Sequence, residues 1–325
     1  MLSLGEQLEK SGVSSSTAKT YLSNLYTLNN KQPFRNLAFL RKIDNILTAM
    51  KPYADSTQKT LLASIVSVLS LFKDKPTYKK LYTRYQDLMN EKVKEENAKP
   101  KNEKSKKQEA NWISWDEVQE IKDKLFDKIK DIKKQATIEQ RKKLLDYFVL
   151  SLYTDIPPRR NQDYQVMYVV KKWDKSLPDD RNYLSLEDHK MIFNKYKTAK
   201  TYGQHEISFA DNEDFKKALG LYLRYHPLHS NRMGKKTMFP LLVKSDGTPF
   251  SSINGITRLL HSIFKKKVGS SMLRHIYLTN KYGDKLGEME KDSRDMGHSL
   301  EEQKEYIKNK DNGEEEDKEE ENVRE

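Results

Sequence analysis

The chain has 325 residues, no cysteine, a hydrophobic fraction of 36% and a formal net charge of +12. This length predicts about two domains, and the absence of cysteine excludes a disulfide scaffold, a thiolate zinc site and a cysteine nucleophile. Apolar stretches are too short for a transmembrane helix, and the N-terminal residues lack the pattern of a secretory signal. We therefore expect an intracellular protein that is neither membrane-bound nor secreted.

The positive charge is concentrated outside the C-terminal tail. Residues 311–325 carry a net charge of −7, which leaves +19 on residues 1–310. A body this basic is typical of proteins that bind DNA or RNA, although a lysine-rich soluble protein has the same composition. The tail is predicted to be disordered and solubilising. The alternative is autoinhibition, in which the tail competes with DNA, and the DNA affinity of a chain lacking the tail distinguishes the two.

Residues 1–95 are predicted to form a helical DNA-binding domain. The run Ser14-Ser15-Ser16-Thr17 offers capping oxygens before an apolar-faced helix at 18–28, and Asp55-Ser56 is expected to cap a longer helix. Residues 96–112 are predicted to be a flexible basic linker, because residues 96–109 contain five lysines and almost no apolar side chain.

A catalytic domain is predicted over residues 113–310. It begins at a capping box formed by Ser114 and Glu117, and Pro157-Pro158 ends its second helix. Strands are expected at 166–170, 183–186, 191–196 and 206–209, the last two forming a hairpin. Helices are expected at 114–134, 138–153, 212–226, 252–266, 270–281, 285–296 and 299–309.

An arginine at position 159 or 160 is followed along the chain by Arg274, His298 and Tyr306. This is the layout needed by an enzyme that attacks a DNA phosphodiester with a tyrosine and neutralises the resulting charge with two guanidiniums. A guanidinium holds two phosphate oxygens at once and stays protonated, while a lysine can protonate the leaving 5′-hydroxyl. A covalent phosphotyrosine conserves the bond energy, so we expect no ATP, no cofactor and no metal.

The order and local spelling of these residues resemble the tyrosine recombinase (phage-integrase-like) family, over residues 140–310. Met296-Gly297-His298-Ser299 is similar to the family's Leu-Gly-His-Ser segment. The family's first arginine is followed by an acidic residue three positions later, as Arg160 is by Asp163. Arg159 is the alternative, and it fits that pattern less well.

The remaining motifs match the family with two departures. Ser271 stands three residues before Arg274, where the family has a histidine, and His275 is implied to be a packing residue. Tyr306 follows His298 by eight residues, one fewer than the commonest family spacing.

The lysine is assigned from a hairpin turn. In the family it lies at the turn of a hairpin such as the one predicted here, often before a threonine. Lys197 fits this position best, and Lys200 is the alternative.

The resemblance implies a mainly α protein with a small β-sheet, folded as a two-domain C-shaped clamp around double-stranded DNA. A helical core-binding domain would precede a tyrosine-recombinase-like catalytic domain. The implied function is a site-specific recombinase or integrase that forms a 3′-phosphotyrosine and assembles as a tetramer on paired DNA sites. The spelling is closest to integrases of large DNA viruses and related mobile elements.

Three alternatives remain open. A type IB topoisomerase would use the same chemistry to relax supercoils. A catalytically inactive, recombinase-derived protein would bind DNA without cutting it. A generic helix-turn-helix regulator explains the charge but not the ordered motifs.

Overall fold

The computed structural model describes residues 3–98, 103–228, 238–250, 252, 254–297, 299–301 and 303. The protein is mainly helical, with one small mixed sheet. It divides into two compact units, Met1–Glu103 and Lys104–Glu325. Within the described ranges, no helix combines the length and the apolar character needed to cross a membrane.

The first unit is built from helices. They are α1 (Leu4–Lys10), α2 (Ser15–Leu28), α3 (Ile43–Met50), α4 (Asp55–Ser70) and α5 (Pro76–Asn97). Ser14, the first of the four candidate capping residues, caps α2, because its side chain accepts a hydrogen bond from the Thr17 amide. The helix therefore begins at Ser15, three residues before the predicted start. The predicted cap of α4 is wrong, since Ala54 occupies that position and offers no side-chain oxygen. Tyr85 fixes the core of this unit by donating to the Leu40 carbonyl at 2.8 Å.

Part of the predicted linker is helical. A short helix, α6 (Lys106–Asn111), begins at Ser105, whose side chain accepts from the Gln108 amide while Gln108 bonds back to the Ser105 amide. This reciprocal capping satisfies two backbone donors and explains why so polar a segment is ordered there. Lys104 Nζ lies 4.2 Å from the ring centroid of Trp112.

The second unit combines helices with a sheet. Its helices are α7 (Trp115–Asp127), α8 (Ile138–Thr154), α9 (Asn161–Gln165), α10 (Ala199–Tyr202), α11 (Glu213–Arg224), α12 (Asn254–Phe264) and α13 (Ser270–Met296). Its strands are β1 (Met167–Val170), β2 (Asn182–Ser185), β3 (Lys190–Phe193), β4 (His205–Ser208) and β5 (Met238–Pro240). The predicted capping box of Ser114 and Glu117 is present at α7.

The five strands lie in the order β4-β3-β2-β1-β5. β1 and β2 run parallel, and the other neighbouring pairs are antiparallel. The predicted β3–β4 hairpin is confirmed, with Phe193 opposite His205, and α10 lies within its connection.

α8 runs through the centre of this unit. It is buried on all sides from Tyr147 to Thr154, as expected of a central helix rather than a surface helix. The ring of Phe148 stacks on that of Tyr222 from α11, with centroids 4.4 Å apart. Lys122 of α7 pairs with Asp155 beyond the end of α8. The segment that follows α8 is therefore held against a rigid support.

α13 differs most from the sequence-based expectation. Two helices were predicted, at 270–281 and 285–296, but one continuous helix covers both. Gly283 lies in its interior. A lone glycine weakens a helix by about 1 kcal/mol without ending it, and no proline is present to break the hydrogen-bond ladder.

Asp146 lies on α8, and its ionisation tests how closely the protein packs around α8. Burial raises the pKa of Asp146 to about 6, and Lys142 and Lys143 oppose that shift. The protonated carboxyl therefore suits the folded state, and its stabilising contribution is lost as the pH rises from about 4 through 6. Asp146→Asn is expected to raise the free energy of unfolding by about 1–2 kcal/mol at pH 8 and to leave it unchanged at pH 4. Urea unfolding at the two pH values measures this.

Asp123→Asn is the matched control, because Asp123 is exposed on α7. It is expected to change stability by less than about 0.5 kcal/mol at either pH. Equal stability of the Asp146→Asn variant and the wild type at pH 8 would contradict the burial argument.

Candidate active site

The segment between α8 and α9 presents two adjacent arginines. Pro157 and Pro158 prevent α8 from continuing, because proline has no amide hydrogen and restricts the residue before it. Arg160 is the N-cap of α9, with extended backbone angles (φ −74°, ψ 148°) and no side-chain capping bond. Its side chain is therefore not used by the helix that follows it.

Buried hydrogen bonds fix α9 in place. The Tyr153 hydroxyl donates to Asn161 Oδ1 at 2.6 Å, and Asn161 Nδ2 donates to Thr257 Oγ1 at 2.8 Å. The Tyr164 hydroxyl donates to the Leu152 carbonyl at 2.9 Å. These bonds tie α9 to α8 and α12, so the position of Arg160 is set by the core.

Arg159 and Arg160 have different surroundings. Arg159 Nε donates to Asp163 Oδ2 at 2.9 Å, and the two side chains are only 15% and 2% exposed. The Arg159 guanidinium carbon also lies 3.9 Å from the ring centroid of Phe193 and 4.8 Å from that of Tyr196. Arg160 forms no ion pair with any described residue. Arg159 is thus occupied by the protein, whereas Arg160 is available to an anion.

Asp163 is the acidic residue of this group. Burial raises its pKa, and the guanidiniums of Arg159 and Arg160 act in the opposite direction. Its Oδ1 atom is buried without a hydrogen-bond partner among the described residues. The carboxyl therefore depends on Arg159 for compensation of its charge.

The second arginine lies in the first turns of α13. Leu273 and Ile276 are 1% and 2% exposed and anchor α13 in the main core. Arg274 is half-buried, and its Nε donates to the Ser270 carbonyl at 3.4 Å. Burial raises the pKa of Tyr153, and the nearby charge of Arg274 opposes this shift. Arg274 is therefore close to the tyrosine that holds α9.

A cleft of about 500 Å³ brings the two predicted arginines together. Its lining combines three guanidiniums and an imidazole with a single carboxylate, which Arg159 neutralises. The lining residues are Pro158, Arg159, Arg160, Asp163, Tyr196, Thr198, Tyr202, His205 and Arg274. Such a cleft suits a phosphate group, whose oxygens guanidiniums bind through paired hydrogen bonds.

Four other residues predicted from the sequence lie outside the lining of the cleft. Lys197 and Lys200 are exposed and do not line the cleft, although the two neighbours of Lys197 do. Ser271 and His275 are exposed on α13 and also lie outside the lining. The packing role expected for His275 stays a prediction, and its side chain is exposed in the described part of the chain.

His298 and Tyr306 lie outside the described residues, as does the tail at 311–325. Gly297 is described, and it ends α13 with a left-handed backbone (φ 76°). At 1.5 Å per residue, the continuous helix separates Gly297 from Arg274 by about 35 Å along its axis.

Tyr202 and His205 are among the lining residues that were not predicted from the sequence. Tyr202 is 73% exposed at the end of α10. His205 is exposed at the start of β4. Both belong to the hairpin in which the lysine was sought, and a histidine beside the glycine turn of that hairpin was the available signal.

No protein-family model matches the chain, and no curated protein matches it. Among solved structures, the crystal structure of XerA recombinase is similar to it, with 17% sequence identity and a TM-score of 0.36. The aligned region covers 95% of this chain and 92% of that one.

Proposed function

We propose that the protein is a tyrosine recombinase, which cuts and rejoins DNA through a 3′-phosphotyrosine. One observation carries this proposal: Arg160 and Arg274, which lie on different elements far apart in sequence, line the same cleft. The sequence motifs independently assign these two arginines to one phosphate. A generic helix-turn-helix regulator would not require two arginines from distant elements to line one cleft.

The chemistry follows from the charge that develops during transfer. Attack by a phenol on a phosphodiester increases the negative charge on the non-bridging oxygens. Arg160 and Arg274 would neutralise that charge with preorganised N–H groups, an effect worth more in the transition state than in the ground state. Tyr306 is the proposed nucleophile, and His298 would donate to the same phosphate. Lys197, or alternatively Lys200, is the residue that the resemblance assigns to proton donation.

The substrate would be double-stranded DNA. The net charge of +19 on residues 1–310 favours electrostatic binding to the phosphate backbone, which weakens steeply with salt. We propose residues 1–95 as the core-binding domain, 96–112 as the linker and 113–310 as the catalytic domain of a C-shaped clamp. Assembly as a tetramer on paired sites, and an integrase role in a virus or mobile element, belong to the same proposal.

The first experiment is a search for the covalent intermediate. Purified protein is incubated with a library of nicked suicide duplexes and denatured, and protein joined to DNA is recovered and the DNA sequenced. We expect an adduct in the wild type and none in Tyr306→Phe, because phenylalanine has no oxygen to attack phosphorus. Tyr282→Phe is the matched control, since Tyr282 is 46% exposed on α13 and outside the cleft.

Each other outcome selects an alternative. An adduct that persists in Tyr306→Phe would refute this nucleophile. Salt-sensitive binding without any adduct would favour the inactive, DNA-binding alternative. An adduct together with relaxation of a supercoiled circle, but without joining of two DNA molecules, would favour a type IB topoisomerase.

A further inference from the structure

The β3–β4 hairpin forms one wall of the arginine cleft, and it contributes a histidine. His205 begins β4, and it is the one histidine among the described residues that line the cleft. The family that the sequence resembles has a histidine where this chain has Ser271, which is exposed and outside the cleft lining. The cleft thus contains an imidazole, but from a different element.

The backbone around His205 is fixed although the residue is exposed. The Tyr196 hydroxyl donates to the Gly203 carbonyl at 2.9 Å, which closes the connection between the two strands. Gln204 Nε2 donates to Asn194 Oδ1 at 2.6 Å. Gly203 has φ 67° and ψ −156°, a conformation that side-chain-bearing residues rarely adopt. His205 therefore enters β4 in a defined register.

Buried Asn182 connects the hairpin to the arginine segment. Its Nδ2 donates to the Asp163 carbonyl at 2.7 Å and to the Lys195 carbonyl at 3.0 Å. Its Oδ1 accepts from the amides of Asn194 and Lys195 at 2.9 and 2.8 Å. One side chain thereby holds the start of the hairpin connection against α9.

The strand register sets the direction of the His205 side chain. His205 is directly opposite Phe193, and opposite residues of an antiparallel pair project from the same face of the sheet. Phe193 and Phe209 belong to the main core, and Ile207 on the same face packs against it. Phe193 also carries the Arg159 guanidinium on its ring. His205 is thus the first residue of β4 on the core-facing side of the sheet, and it lies opposite the phenylalanine that contacts Arg159.

We propose that His205 is the acid that protonates the leaving 5′-oxygen; this inference rests on the proposed function. Arginine does not release its proton, whereas imidazole exchanges one readily near neutral pH. The two hairpin lysines lie outside the cleft lining, whereas His205 belongs to it. The assignment therefore moves the proton donor from Lys197 to His205.

The step balances as follows. The tyrosine oxygen forms a bond to phosphorus and its phenolic proton passes to water. The P–O5′ bond breaks, and its electron pair remains on the 5′-oxygen. The imidazolium of His205 gives its proton to that oxygen, which produces a 5′-hydroxyl and neutral imidazole. Arg160 and Arg274 continue to neutralise the negative charge on the non-bridging oxygens.

A bridging-sulfur substrate tests this role. Two nicked duplexes of the trapped sequence are compared, one with a normal 5′-oxygen at the scissile bond and one with a 5′-sulfur in its place. A thiolate leaves without protonation, because the pKa of a thiol is only about 8.5. His205→Asn is expected to slow adduct formation about 100-fold on the oxygen duplex and less than about threefold on the sulfur duplex.

His189→Asn is the matched control, because His189 adjoins the opposite end of β3 and lies outside the cleft lining. Its rates are expected to equal those of the wild type on both duplexes. Lys197→Ala is run in parallel.

Equal impairment of His205→Asn on both duplexes would overturn the proposal, as would no impairment. Rescue of Lys197→Ala by sulfur, with His205→Asn unaffected, would return the role to the lysine. In each of these outcomes, adduct formation by the wild type would still support the proposed recombinase function. A wild type that forms none on either duplex would overturn both proposals.

Discussion

Arg274→Ala is expected to slow formation of the covalent adduct by about 10²–10³-fold, the usual effect of removing one charge-stabilising donor from a transition state. Arg274 lines the cleft with Arg160, and among the described residues its guanidinium bonds only to the Ser270 carbonyl. Its anchors Leu273 and Ile276 are unaffected by the change, so the fold should persist. The measurement is single-turnover adduct formation on the trapped duplex, with thermal unfolding to verify the fold.

Arg274→Lys separates charge from geometry. Lysine retains the positive charge but lacks the planar fork that binds two oxygens at once, so we expect only partial recovery. Arg258→Ala is the control, because Arg258 is exposed on α12 and does not line the cleft. If Arg274→Ala reacted within threefold of the wild type, the cleft would not be the site of phosphoryl transfer.

Arg159→Ala is expected to lower stability strongly, whereas Arg160→Ala is expected to slow the reaction with little change in stability. Removal of Arg159 leaves the Asp163 carboxylate buried and uncompensated, and it also removes the stacking on Phe193 and Tyr196. We expect a loss of about 2–3 kcal/mol in the free energy of unfolding at pH 8, below the full value for a buried pair because Arg159 is 15% exposed. Arg160→Ala should cost less than about 0.5 kcal/mol, because no described residue pairs with Arg160.

The activity of Arg160→Ala is expected to contrast with its stability. Arg160→Ala should slow adduct formation about 10²–10³-fold while remaining folded. Equal stability of the two variants at pH 8 would refute the assignment of Arg159 to Asp163.

The pH dependence of the Arg159→Ala deficit follows from the pKa of Asp163, which burial already raises. Without Arg159 this pKa rises further, so the carboxyl protonates in the folded state as the pH falls. The deficit should therefore be smaller at pH 5 than at pH 8. Urea unfolding at the two pH values measures it, and a deficit that grows towards pH 5 would contradict the assigned cause.

The two cleft arginines could be predicted from sequence because each has a local signal. Arg160 precedes Asp163 and the fully buried Tyr164, and Arg274 follows the buried Leu273. The choice between Arg159 and Arg160 was suggested by spacing, but its physical reason was not visible. The Phe193 ring that holds Arg159 lies on another strand, and no local pattern reports that contact.

The features that the sequence did not predict depend on long-range packing. His205 reaches the cleft only because β4 pairs with β3 in one register and Asn182 bonds to α9. β5 has three residues and no periodicity to detect. The predicted break in α13, between residues 281 and 285, contains Gly283, a weak helix former that the continuous helix tolerates.

The unbroken α13 fixes how far apart its two ends lie. While the helix is continuous, Gly297 lies about 35 Å along the helix axis from Arg274, which lines the cleft. Under the proposed function, the histidine that follows Gly297 in sequence would share a phosphate with Arg274. We therefore expect that reaction to require either a bend in α13 or a histidine supplied by a second chain.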